Sequence, residues 1–268
     1  MKGTLYLVGT PIGNLADITL RALETLKSVD AIACEDTRHS LGLLNFYEIK
    51  KPLFACHQHN ERETCSKIAH MLDDGQNIAL ITDAGMPAIS DPGAIVVNFL
   101  FEQGYKVEVI PGATAVASAM ALSGICQPIW TFVGFLPTRV KEKKALLESF
   151  ANVKTALVIY SSPHDINKDC EALFKVLGER KAHIVKEITK IHERHEIYNL
   201  GECHIDEPKG EYVIIVEQNQ QEAQQAEPLP LEEQLQILLD GGMEKKEAIK
   251  KVAKDNNVPK DVVYKLSF

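Results

Sequence analysis

Between residues 3 and 217, short runs rich in β-branched residues alternate with longer segments of helical periodicity. This alternation predicts an α/β fold, in which helices pack around a mainly parallel sheet. The predicted strands are residues 4–8, 31–34, 77–82, 106–110, 131–134, 155–160, 182–187 and 212–217.

The longest apolar runs fall far short of the ~20 residues that cross a bilayer, so we expect no membrane span. No secretory signal is visible either, which favours a cytoplasmic location.

Two helix starts carry sequence signals. Asn60 followed by Glu63 forms a capping box in front of an apolar run, which predicts a helix start there. Asp91 followed by Pro92 predicts an N-cap acceptor and a proline at the first position of the next helix.

The composition of the chain changes after Glu217. Residues 218–228 are polar and end in a proline, which predicts an exposed linker. Three amphipathic segments follow, at residues 231–239, 244–253 and 260–268, and predict a small helical module. From residue 243 onward seven lysines outnumber four acidic residues, a local charge of +3. These lysines form either an ordinary solvated helix face or a contact for nucleic acid or a partner protein.

Charge and cysteine usage exclude several classes of protein. A net charge of −8 argues against a protein that coats nucleic acid, although it leaves room for a local basic face. The six cysteines contain no C-x-x-C pair, so we expect reduced, mostly buried thiols. His57, His59, Glu61 and Cys65 are of ligand type but lack a standard ligand spacing, and we predict no metal site.

Three loops that follow predicted strands have the composition of ligand-binding loops. Residues 82–93 contain two glycines, two prolines and two aspartates at the carboxyl edge of the sheet, where ligands of open α/β sheets bind. A tight turn capped by Asp91 explains the end of this loop but not residues 83–85. Residues 111–114 are small enough for close approach of the backbone to a ligand or to another chain segment. Residues 9–13 have G-x-x-x-G spacing, which disfavours a dinucleotide site.

Five segments together resemble the tetrapyrrole-methylase superfamily. They are residues 7–19 (LVGTPIGNLADIT), 35–38 (EDTR), 82–93 (TDAGMPAISDPG), 111–115 (PGATA) and 134–137 (GFLP). Within the superfamily the chain is similar to the ribosomal RNA small subunit methyltransferase I branch, whose members methylate the ribose 2′-hydroxyl of a cytidine.

The resemblance implies a methyltransferase that uses S-adenosylmethionine (AdoMet), acts on ribosomal RNA or the small ribosomal subunit, and forms a homodimer. It implies two α/β subdomains, residues 1–136 and 137–217, with AdoMet in the cleft between them. Residues 218–228 then link this pair to an all-α module of residues 229–268.

The resemblance also implies roles for individual residues. The residues expected to bind the cofactor are Pro11, Asp83, Ala84, Gly85, Pro87, Ile89, Ala113, Thr114, Phe132, Tyr160, Ser161, Gly210 and Glu211. Asp36 or Glu187 is expected to accept the proton or orient the hydroxyl, and Arg38 and Lys190 to hold phosphate or alkoxide. Candidate RNA contacts are Arg139, Lys141, Lys143, Lys144 and the lysines of the C-terminal module.

The chain departs from the family pattern after residue 160. Where relatives usually show Glu-Ser-Pro-His-Arg, this chain has Ser161-Ser162-Pro163-His164-Asp165, which puts any charged role at residues 161 and 165 in doubt. Two alternatives to the RNA methyltransferase stay open. One is an enzyme of the same fold that acts on a tetrapyrrole or a protein, and the other is a non-catalytic, ligand-binding regulator.

Overall fold

The computed structural model describes residues 1–218, 230–256 and 258–266. Contacts divide the chain into two compact units, Met1–Gln218 and Asn219–Phe268. The first unit contains two five-stranded sheets. Among the described residues, none of the helices has the length and apolar character needed to span a bilayer.

The first sheet is entirely parallel and has the strand order β3-β2-β4-β1-β5. Its strands are β1 (Thr4–Val8), β2 (Ala31–Cys34), β3 (Leu53–Ala55), β4 (Ile78–Leu80) and β5 (Lys106–Ile110). The helices that alternate with them are α1 (Leu20–Ser28), α2 (Thr37–Phe46), α3 (Glu61–Asp73) and α4 (Ala94–Glu102). One apolar core packs α1 and α2 on one face, and a second core packs α3 and α4 on the other. All five strands therefore end at one edge, where their loops meet.

The second sheet is mixed and has the strand order β6-β7-β10-β8-β9. Its strands are β6 (Trp130–Phe135), β7 (Ala156–Ser161), β8 (Lys181–Lys186), β9 (Arg194–Asn199) and β10 (Tyr212–Val216), and only β6 and β7 run parallel. Helices α6 (Val140–Ser149) and α7 (Ile166–Leu177) cover one face. The other face packs on α5 (Ala115–Ser123), which directly follows the first sheet in the chain. Helix α5 therefore joins the two sheets.

The second unit is a three-helix module with its own apolar core. Its helices are α8 (Leu231–Asp240), α9 (Lys245–Asp255) and α10 (Lys260–Lys265). Leu235, Ile249, Val252 and Val263 are among the residues that form the core.

The predicted α/β fold class with a small helical module is confirmed, and each predicted strand overlaps an observed one. The expectation of a mainly parallel sheet is met by the first sheet and is wrong for the second, which is mainly antiparallel. Strands β3 and β9 were not predicted. The division at residue 136 stays a prediction, and the predicted linker lies, apart from residue 218, outside the described residues.

The two predicted helix starts have different outcomes. Helix α3 begins at Glu61, next to the predicted cap, but the Asn60 side chain accepts a hydrogen bond from the His57 N–H instead of capping the helix. Helix α4 begins at Ala94, with Gly93 at the N-cap, so the capping role predicted for Asp91 is wrong.

Candidate functional site

A cavity of about 480 Å³ lies within the first unit, between the loops of the first sheet and the second sheet. Its walls come from the loop after β4, the start of α5, and the ends of β6, β7, β8 and β10. The lining residues are Ile12, Glu35, Asp83, Ala84, Gly85, Met86, Ile89, Ser90, Asp91, Thr114, Ala115, Phe135, Tyr160, Ser161, Ser162, Pro163, Val185, Ile188, Glu211, Tyr212 and Val213. Its size is within the range of about 300–1,000 Å³ that is usual for small-molecule sites.

The loop after β4 is fastened to the loop after β1. The Thr10 N–H donates to the Gly85 carbonyl (2.9 Å), and the Gly85 N–H donates back to the Thr10 carbonyl (3.2 Å). Gly85 has a φ of +84°, a conformation that side chains with a Cβ disfavour. A Cβ there would also lie 3.3 Å from Ile12. The glycine therefore allows the tight bend that places residues 83–86 along the cavity wall.

The loops after β1 and β5 pack backbone against backbone. A Cβ on Gly9 would lie 2.7 Å from the Cα of Gly112, so neither position accommodates a side chain. The small residues of the 111–114 loop are thus explained at Gly112 by contact with another chain segment, while Thr114 and Ala115 line the cavity. Close approach to another chain segment is thus observed at Gly112, and close approach to a ligand at Thr114 stays a prediction.

A buried carboxylate on α3 fixes the far end of the 82–93 loop. Glu61 Oε1 accepts hydrogen bonds from the backbone N–H groups of Gly93 (2.8 Å), Ile95 (2.8 Å) and Val96 (3.4 Å). These donors are at the start of α4, where the helix dipole favours a negative charge. Glu61 therefore caps α4, and Asp91 is left to line the cavity.

Four carboxylates line the cavity: Glu35, Asp83, Asp91 and Glu211. Burial, followed by the charge of Glu35, raises the pKa of Asp91 to about 6. Glu35 is held by the Thr82 hydroxyl, which donates to Glu35 Oε2 at 2.8 Å. The concentration of acidic groups makes the cavity attractive to a cationic ligand.

An aromatic group forms the wall on the side of the second sheet. The Tyr160 hydroxyl accepts a hydrogen bond from the Val116 N–H at the start of α5 (3.1 Å). The Tyr160 ring makes edge contacts with Phe132 and Phe135, with centroid distances of 4.9 and 5.5 Å. Phe132 therefore supports Tyr160 from behind, and the burial that results raises the pKa of Tyr160.

The structure brings eight of the predicted cofactor residues together around the cavity. They are Asp83, Ala84, Gly85, Ile89, Thr114, Tyr160, Ser161 and Glu211. The other five, Pro11, Pro87, Ala113, Phe132 and Gly210, are not among the lining residues. Sequence reasoning missed the lining residues Val185 and Val213, because valines in apolar strands carry no signal that separates a cavity wall from a core.

The four predicted catalytic residues lie outside the cavity lining and form two ion-pair groups. Asp36 pairs with Arg38 (3.0 Å), and these contacts lower the pKa of Asp36. Lys190 pairs with Glu187 (2.8 Å) and with Glu211 (2.9 Å). Partial burial alone would raise the pKa of Glu187, but hydrogen bonds from Lys190 and the Glu211 backbone outweigh it and lower that pKa.

Both groups are nevertheless adjacent to cavity residues. The Asp36 N–H donates to Asp83 Oδ1 (3.2 Å), and the Lys190 side chain packs against Gly13 in the first loop. Their assignment as catalytic residues stays a prediction.

The predicted RNA contacts after β6 differ in exposure. Lys143 is buried and donates to Asp169 Oδ1 at 2.5 Å, so it is not available at the surface, and the prediction for this residue is wrong. Asp169 Oδ2 accepts a hydrogen bond from the Ser161 hydroxyl (2.6 Å). The other three residues, Arg139, Lys141 and Lys144, are exposed.

The residues of metal-ligand type near His57 do not form a metal site in the part of the chain that the structure describes. No group of three or more His, Cys, Asp or Glu side chains there has a metal-binding arrangement. Glu61 is committed to the start of α4, and Cys65 is buried in the core beside α3.

Solved structures with a known ligand share this architecture. Uroporphyrin-III C-methyltransferase from Thermus thermophilus, solved in complex with S-adenyl homocysteine, aligns with a TM-score of 0.55 and 21% identity, over 80% of this chain and 97% of that chain. At this identity the likeness establishes the fold alone.

The sequence comparisons are more specific. Residues 4–204 match the model of the family described as Tetrapyrrole (Corrin/Porphyrin) Methylases. The ribosomal RNA small subunit methyltransferase I of Bacillus subtilis is 42% identical, over 98% of this chain and 93% of its own length. The protein of the same name from Haemophilus influenzae is 47% identical, over 81% of this chain and 79% of its own length. The chain belongs to the tetrapyrrole methylase family, in the branch of the ribosomal RNA small subunit methyltransferase I proteins.

Proposed function

We propose that this chain transfers a methyl group from AdoMet to the ribose 2′-hydroxyl of a cytidine in small-subunit ribosomal RNA. The observation that carries the proposal is the acidic cavity at the carboxyl edge of the first sheet, in a chain with full-length relatives named as ribosomal RNA methyltransferases. The name of these relatives supports the substrate class, and the cavity is the proposed binding site of the methyl donor.

The residues of the cavity fit AdoMet. The cofactor supplies a methyl group activated on a sulfonium, and it also carries an ammonium group. Asp83, Asp91 and Glu211 provide negative charge for these cations, and residues 84–86 provide a backbone surface beside them. Tyr160 and Phe135 provide an apolar wall of the kind that adenine stacks on.

Methyl transfer is mainly a task of positioning. An in-line displacement is fastest when donor and acceptor are held about 3 Å apart with water excluded. The 82–93 loop is suited to positioning the donor because hydrogen bonds to Thr10 and Glu61 restrain it near its beginning and at its end.

The reaction also needs an acceptor for the 2′-hydroxyl proton. Asp36 and Glu187 remain candidates, but both are engaged in ion pairs that lower their pKa. Asp91 is a further candidate, because it lines the cavity and its pKa of about 6 is close to the operating pH. Alanine at each position distinguishes them: loss of turnover with intact AdoMet affinity identifies the group that is used.

RNA binding requires local positive charge on this acidic protein. Lys246, Lys250, Lys251 and Lys254 are exposed along α9, and the buried face of this helix belongs to the core of the C-terminal module. Such a helix suits contact with phosphates, and the module is the proposed RNA-binding element.

The proposal includes a homodimer that works in the cytoplasm, where ribosomal subunits are made. The dimer rests on the family resemblance described above.

The decisive experiment uses small ribosomal subunits from a strain that lacks this protein. Incubation with the purified protein and methyl-labelled AdoMet should give labelled 2′-O-methylcytidine on nucleoside analysis. Label in a tetrapyrrole or protein, with none in RNA, would instead support an enzyme of the same fold with another substrate. AdoMet binding without any transfer would support the regulator.

A further inference from the structure

The turn after β3, residues 57–60, lies at the same edge of the first sheet as the cavity, and its two histidines have no role in the site described above. Strands β3, β2 and β4 are parallel neighbours, so His57, Asp36 and Asp83 all follow strands that end at the same edge. Neighbouring strands are about 4.8 Å apart, which puts the end of β3 roughly 10 Å from the end of β4. Asp83 lines the cavity, and its Oδ1 accepts from the Asp36 N–H. The turn that carries His57 and His59 therefore lies at the same sheet edge as the cavity, beyond the end of β2.

The backbone that carries these two histidines is fixed. The Asn60 N–H donates to the His57 carbonyl (3.0 Å), and the His57 N–H donates to Asn60 Oδ1 (2.8 Å). The Asn60 amide also donates to the Ala55 carbonyl at the end of β3 (3.1 Å). These hydrogen bonds therefore fix the turn between His57 and Asn60, and the centroids of the two imidazole rings lie 6.0 Å apart.

Neither ring is explained by the fold. Buried polar atoms in proteins are nearly always hydrogen-bonded, yet the buried Nδ1 of His57 has no partner among the residues that the structure describes. His59 is exposed. Within the same described residues, no group of side chains has the arrangement of a metal site. Two imidazoles on a fixed turn, at the sheet edge that carries the cavity and without a structural or metal role among the described residues, are suited to contact a substrate.

We propose that the nucleobase of the substrate nucleotide stacks on His59 and meets His57 at its edge, because the two rings are inclined at 64° to each other, while the ribose lies at the cavity. This inference rests on the proposed function. Proteins bind unstacked RNA bases on aromatic side chains, histidine among them. Arg38, at the neighbouring strand end, has a side chain that is 89% exposed and is oriented by Asp36, so its guanidinium is available to the phosphate of the same nucleotide.

The test compares four variants of the full-length protein: His57→Ala, His59→Ala, His59→Phe and the control His70→Ala. His70 is an exposed histidine on α3, on the same helix that follows the turn. Methyl transfer to small subunits is measured as kcat and KM, and AdoMet affinity and Tm are measured separately. Loss of one base-stacking contact is worth roughly a 5- to 150-fold effect.

The proposal expects His57→Ala and His59→Ala to lower kcat/KM for the small subunit by that factor, with AdoMet affinity and Tm close to wild type. His59→Phe should recover most of the loss, because phenylalanine also stacks, and His70→Ala should have no effect. Normal kcat/KM in both alanine variants, while the wild type methylates the subunit, overturns the stacking proposal alone. Lack of transfer by the wild type overturns the proposed function and this inference together.

Discussion

The buried carboxylate of Asp169, on α7, connects this helix with α6 and with the end of β7. Its Oδ1 accepts from Lys143 Nζ on α6 (2.5 Å), and its Oδ2 accepts from the Ser161 hydroxyl at the end of β7 (2.6 Å). The side chains of Lys143 and Asp169 are 11% and 4% exposed. Asp169→Leu would leave the lysine ammonium buried without its partner, a change that costs about 3–5 kcal/mol. In a unit of this size, about 2–4 °C of Tm is lost per kcal/mol, so Tm should fall by roughly 6–20 °C.

The double variant Lys143→Met/Asp169→Leu distinguishes two contributions to the lost stability, the unpaired buried charge and the changed packing. It removes both charges, so most of the lost stability should return, less about 1 kcal/mol for the unpaired Ser161 hydroxyl. The control is Lys144→Met, because Lys144 is exposed and pairs with Glu148 at 3.6 Å, an interaction worth at most about 1 kcal/mol. Thermal unfolding followed by circular dichroism measures all three. Equal Tm values for the single and double variants would refute the reasoning.

Three further predictions concern the cavity and the C-terminal module. The pKa of Asp91 is raised to about 6, so its ionisation lowers the stability of the folded state increasingly between about pH 4 and 6 and by a constant amount above pH 6. Asp91→Asn should therefore raise Tm at pH 7.5 and leave it unchanged near pH 4, and an equal effect at both pH values would contradict this. Glu61→Gln removes the charge at the start of α4, which should lower the free energy of unfolding by about 1–2 kcal/mol and weaken AdoMet binding measured by calorimetry. Unchanged AdoMet affinity would show that Glu61 has no influence on the cavity. The double variant Lys250→Ala/Lys251→Ala should make the plot of log affinity for the small subunit against log salt concentration less steep by about 2, as measured by filter binding. An unchanged slope would exclude both lysines from phosphate contact.

The sequence was most informative where backbone geometry restricts the choice of residue. The glycines and prolines of the 82–93 loop indicated a ligand loop at the carboxyl edge, and this loop lines the cavity. Three strands were also predicted closely: β1, β2 and β5 have the predicted bounds. Strand β9 was missed because it is an edge strand with mostly exposed, polar residues. Strand β3 is only three residues long and therefore has no measurable periodicity.

Contacts between distant charged residues could not be predicted in this way. A lysine in an amphipathic helix normally indicates a solvated surface, and only the packing of α6 against α7 shows that Lys143 is buried beside Asp169. The cap of α4 was also not predicted because it is a contact between residues distant in the sequence. Asp91 is close to the helix start in sequence, but Glu61, more than thirty residues earlier, is the side chain that reaches the N–H groups. Which carboxylate is left to face the cavity depends on that tertiary contact.

The 82–93 loop is held in a conformation that it would not keep alone. Ala88 and Ser90 have φ values of +67° and +62°, which cost free energy for residues with a Cβ. The surrounding structure supplies the restraint through the Thr10–Gly85 bridge, the Asp36 N–H on Asp83 and the Glu61 carboxylate. A loop fixed before its ligand arrives loses little conformational entropy on binding. Residues outside the cavity lining, above all Glu61, should therefore also affect the affinity for AdoMet.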